Sequence, residues 1–62
     1  MTENQRLWLL ELIEEHRVAA SNERLWAKGA PDNETAQMHE ENAEEHSEFA
    51  DMLGLFLRDE EA

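Results

Sequence analysis

Lys28-Gly29-Ala30-Pro31-Asp32-Asn33 is the stretch that decides the fold. Glycine sits where a helix C-terminal residue belongs, and proline follows as a stop. Asp32 or Asn33 can then cap a second helix, with Glu34 well placed in its first turn. On the N-terminal side, residues 3–28 contain neither Gly nor Pro. Thr2 followed by Gln5 forms a capping-box pattern that starts a helix near Glu3. On the C-terminal side, a second helix runs over 33–58, weakened by Gly54, which suggests close packing there. Each helix is about 25 residues, or about 37 Å, long. A turn as short as 29–32 makes them antiparallel neighbours. The expected fold is all-α: one domain over 1–62, an antiparallel two-helix hairpin.

Length and composition narrow the class. Sixty-two residues bury little surface, so such a chain needs a staple. There is no cysteine, which removes disulfides and thiolate metal sites. Oligomerisation, a His/carboxylate metal site or very good helix packing remain. No stretch approaches the ~20 apolar residues of a membrane span. The start Met1-Thr2-Glu3-Asn4-Gln5 lacks the basic region of a signal peptide, so a cytoplasmic location is expected. The net charge of −11 opposes binding to nucleic acid or an anionic membrane.

A 4-3 spacing gives the first seam as Gln5, Leu9, Leu12, His16, Ala19, Glu23 and Trp26. The second reads Thr35, His39, Asn42, His46, Phe49, Leu53 and Phe56, with a column of Ala36, Ala43, Ala50 and Leu57 beside it. Registered through the turn, Glu23 faces His39, His16 faces His46, and Leu9 faces Leu53. The middle of the seam is therefore polar.

The first helix is apolar beyond its seam. Asn4-Gln5-Arg6-Leu7-Trp8 recurs as Asn22-Glu23-Arg24-Leu25-Trp26. The offset is eighteen residues, or five turns, so both copies point the same way. Leu7, Trp8, Val18, Leu25 and Trp26 form a partner or dimer surface that one hairpin cannot cover. The expected assembly is a homodimer, a four-helix bundle. Arg6, Arg17, Arg24 and Lys28 form a basic ribbon suited to pairing with acids of a partner helix.

Two constellations could carry chemistry. His16, Glu23, His39 and His46 lie in the seam, and doubling by a second copy would give sets that Zn or Fe accept. The bland alternative is hydrogen-bonded core histidines that fix pairing and register. No nucleophile accompanies them, so acyl-transfer chemistry has no support. The second constellation is a set of acids. Glu44-Glu45-His46-Ser47-Glu48-Phe49-Ala50-Asp51 resembles the Glu-x-x-Asp helix of the MazG-like all-α nucleoside-triphosphate pyrophosphatases. Glu11-Leu12-Ile13-Glu14-Glu15 is similar to their acidic helix. That resemblance implies Mg²⁺ held by Glu11, Glu14 or Glu15, Glu48 and Asp51.

The layout also resembles that of Rop-like helical hairpins: one short turn, similar length, and small and large residues along the seam. The resemblance implies a dimeric four-helix bundle.

The expected function is non-enzymatic: a small acidic regulator or inhibitor that binds another protein and itself, of a size that suits a phage or mobile element. No cofactor is expected. The alternatives are a metal-binding bundle holding Zn or Fe, and then a MazG-like Mg-dependent hydrolase.

Overall fold

The computed structural model describes residues 1–61. Helix α1 spans Glu3–Lys28 and helix α2 spans Asn33–Glu61, and they pack against each other along their length. The hairpin forms a slab with Cα extents of 46 × 16 × 9 Å. No described helix is long and apolar enough to cross a membrane.

Both helix starts follow from local chemistry. The Thr2 Oγ1 accepts from the Gln5 N–H at 3.1 Å, and Gln5 Oε1 accepts from the Thr2 N–H at 2.8 Å. This reciprocal box satisfies two backbone donors that a helix start leaves free. At α2 the cap is Asp32, whose carboxylate accepts from the Thr35 N–H at 2.7 Å. That hydrogen bond holds the Asp32 carboxyl below its ordinary range.

The turn differs in one detail from the usual glycine cap. Gly29 has φ −94° and ψ 5°, so its left-handed freedom is unused. Its N–H instead reaches back to Leu25 O at 3.2 Å, and Ala30 N–H to Ala27 O at 3.3 Å. At the other end, α2 runs three residues past Arg58 to Glu61, because Asp59-Glu60-Glu61 contains no helix breaker.

The core departs from the 4-3 seam. The buried residues are Leu9, Ile13 and Ala20 on α1, with Ala43, Ala50 and Leu57 on α2. Leu9, Ile13, Ala50 and Leu57 form one cluster, against which Leu53 packs. The contact stripe of α2 is thus the alanine column, one residue or about 100° round the helix from the stripe through Asn42, Phe49 and Phe56. Phe49 and Phe56 remain 54% and 51% exposed. On α1 the rotation brings in Ile13 and Ala20 and leaves Gln5 and Trp26 exposed. The reason is steric. Ala20, Ala43 and Ala50 are at most 2% exposed, so the alanine column holds the line of contact, and the bulkier Phe49 and Phe56, one position away, fall to its side.

Gly54 also departs from expectation. A Cβ built there meets nothing within 4 Å, so close packing does not require the glycine. Gly54→Ala should therefore stabilise the hairpin by about 0.5–1 kcal/mol through lower backbone entropy in the unfolded chain. Chemical denaturation checks this, and an unchanged or lower midpoint contradicts it. Asp32 gives a second test. Its contribution is present above the unfolded carboxyl range and is lost as pH falls through the lowered folded value. Asp32→Asn should flatten that part of the acid limb in a stability-versus-pH series.

Candidate functional site: two polar layers under an aromatic face

The register pairs the polar residues as their positions in the sequence require. His16 Nδ1 lies 2.9 Å from His46 Nδ1. One ring must donate and the other accept, so the contact needs opposite roles at the two nitrogens. Nearer the turn, His39 Nδ1 lies 2.5 Å from Glu23 Oε2, and both side chains are mostly covered. The two pairs sit in separate layers about two helical turns apart, with Ala20 and Ala43 between them. Within each layer the polar contact joins two side chains. Among the described residues, no group of three or more His, Asp or Glu is placed to hold a metal ion. His16, Glu23, His39 and His46 are thus assembled as two pairs within one chain.

Aromatic rings cover these layers from one side. Phe49 stacks on His16 with centroids 5.4 Å apart and planes 22° apart. Trp26 leans on His39 at 5.8 Å and 59°. At the open end, Trp8 and Phe56 line one shallow depression together with Met1, Gln5, Leu9 and Glu60. These contacts place Trp8, Trp26, Phe49 and Phe56 on the same broad face of the slab. Helical phase adds Leu12 and Met38 to it. Trp8 is 59% and Trp26 55% exposed, so the face is uncovered.

The opposite face is different in kind. Arg24 donates to Ser47 Oγ at 2.9 Å across the helices. Arg24 and Lys28 border a shallow depression with Glu40, and Arg17 and Arg58 border another with Asp51. Arg6 forks onto its own Glu3 at 2.7 Å and reaches Glu61 at 3.8 Å. The Arg6 fork holds the Glu3 carboxyl below its ordinary range. The ribbon Arg6, Arg17, Arg24 and Lys28 therefore lies on one side, with Arg58 of α2 beside it. The aromatic face is bordered by acids such as Glu15, Glu45 and Glu60, without a lysine or arginine.

Leu7, Val18 and Leu25 lie on the outer edge of α1, exposed and away from α2. The acids Glu11, Glu14, Glu15, Glu48 and Asp51 are all exposed. Glu11 and Glu14 lie on that same outer edge by helical phase, so they do not converge with Glu48 and Asp51.

The aromatic face was only half visible in the sequence. The repeat puts Trp8 and Trp26 on a partner surface, but the 4-3 pattern puts Phe49, Phe56 and Trp26 in the seam. The signal that could have placed them was the Ala43–Ala50 column, which competes for the same seam. No family model, curated protein or solved structure matches the chain.

The histidine pair yields a prediction. Removing one ring by His46→Ala strands its partner's nitrogen in a half-covered site and should cost about 1 kcal/mol. Replacing both rings by leucine should restore or exceed the original stability. A double-mutant cycle by thermal melting checks it, and additive losses would contradict a coupled pair.

Proposed function

We propose that this chain is a small, acidic, non-enzymatic regulator or inhibitor that acts by protein–protein binding. Its working form is a four-helix bundle made with a second copy. The observation that carries this reading is the face of Trp8, Trp26, Phe49 and Phe56, each about half exposed in a single hairpin.

Three physical arguments support it. The internal core is thin: besides three alanines, it holds Leu9, Ile13 and Leu57. Chains this small usually need a further staple, and without cysteine the second copy supplies it. The exposed face also has the composition of binding surfaces, in which Trp and other aromatics dominate the energetics. A footprint of 46 by 16 Å is roughly 700 Å², close to the ~800 Å² per partner of stable interfaces. Finally, a net charge of −11 leaves the exterior of the bundle strongly acidic, which suits a basic protein surface as the regulated target.

Sedimentation equilibrium tests the reading. The 7.3 kDa chain should sediment as a dimer at micromolar concentration. Trp26→Glu and Phe49→Glu should each shift it toward monomer by at least tenfold in dissociation constant. A folded wild-type monomer, or a dimer indifferent to both substitutions, would contradict it.

A further inference from the structure

The relief of the aromatic face specifies how the second copy sits on it; this inference rests on the bundle reading above. From the open end to the turn, the face rises and falls. At the open end Trp8 and Phe56 are both about half exposed and flank a shallow depression. Next comes a second bulky layer, in which Phe49 stands 54% exposed beside Leu12. The His16–His46 pair lies near the midpoint of both helices. Beyond it the face is shallow, formed by the half-buried Ala19 and Asn42. Near the turn Met38 and Trp26 are again about half exposed.

Two arrangements of two copies bury the whole face. In one, the two-fold axis runs along the bundle and both turns lie at the same end. Every layer then meets itself. Phe49 and its neighbours press on their own copies, and the shallow Ala19 layer faces another shallow layer across a void. Packing physics penalises both the overfilled and the empty layer. In the other arrangement the axis crosses the slab at the His16–His46 layer, and the turns lie at opposite ends. The Phe49 layer of one copy then rests on the partner's shallow layer. The Trp8 end of one copy meets the turn end of the other, where Trp26 stands. The ends bring bulky side chains together in either arrangement, so the centre decides, and there only the crossed arrangement sets large against small, as dense packing requires.

We propose that this face binds a second copy of the chain, with the turns at opposite ends and the His16–His46 layer on the two-fold axis. The interface is isologous: α1 lies against α1 of the partner, and α2 against α2. The acids that border the face make the assembly salt-dependent, because like charges meet at the rim in place of ion pairs. Added salt should therefore tighten the dimer. An interface held by Arg–Glu pairs would instead loosen.

The experiment is a distance measurement in the intact dimer. The chain has no cysteine, so a nitroxide on Ala30→Cys labels the turn alone. Double electron–electron resonance should give a turn-to-turn distance near the 46 Å length of the slab. A distance below roughly 25 Å, as for neighbouring ends of one bundle, would overturn the arrangement while leaving the dimeric face intact. A label on Asp59→Cys, at the open end, repeats the test should the turn variant misfold, and it too should give a long distance. Paired sedimentation separates the failures. A dimer that Trp26→Glu leaves unchanged overturns the use of this face, and a folded monomer overturns both readings. Dissociation that falls with salt supports the proposal, and dissociation that rises with salt counts against its acid-bordered interface.

Discussion

The close approach of α1 and α2 over Ala20, Ala43 and Ala50 is the constraint on which the rest depends. Each of these alanines is at most 2% exposed. Ala20 and Ala43 carry no side chain beyond Cβ, and toward the open end Ala50 packs in one cluster with Leu9, Ile13 and Leu57. Of the bulky residues in the 4-3 pattern, Leu9 and Leu53 stay with the core, while Phe49 and Phe56 fall to one side. The aromatics of both helices swing to one side and make a continuous face.

The same narrow seam explains why its polar residues pair so tightly. Two imidazoles can meet across it at 2.9 Å, and an imidazole can meet a carboxylate. Both pairs fix register, because a slip of one helix by a turn would break both at once. Among the described residues, no buried side-chain nitrogen or oxygen lacks a partner. The polar layers thus contribute specificity more than stability, as buried polar residues do in coiled coils. Phe49 and Trp26 shield them on one side, which ties the polar layers to the aromatic face.

Much of this was legible in the residues. Thr2 and Gln5 announced the start of α1, and Gly29-Ala30-Pro31-Asp32 announced the turn. Counting from that turn put Glu23 opposite His39 and His16 opposite His46, because a short turn leaves little freedom in register. The phase of the seam was not legible. Phe49 and Ala50 are adjacent, and periodicity alone supports a stripe through either. The choice depends on interhelical distance, a property of both helices together that neither pattern contains. For the same reason Phe56 and Trp26 read as core and Ile13 and Ala20 did not. The end of α2 was missed because acids at a helix C-terminus disfavour but do not forbid another turn.

The central claim is that the aromatic face is covered in the working form of the protein. Trp8 and Trp26 both lie on it, so their emission reports it directly. On serial dilution at constant temperature, the account predicts blue-shifted emission at high concentration. It predicts a single cooperative red shift as the copies separate, seen from either tryptophan alone in the Trp8→Phe and Trp26→Phe variants. Red-shifted emission at every concentration, with helicity retained, would contradict it.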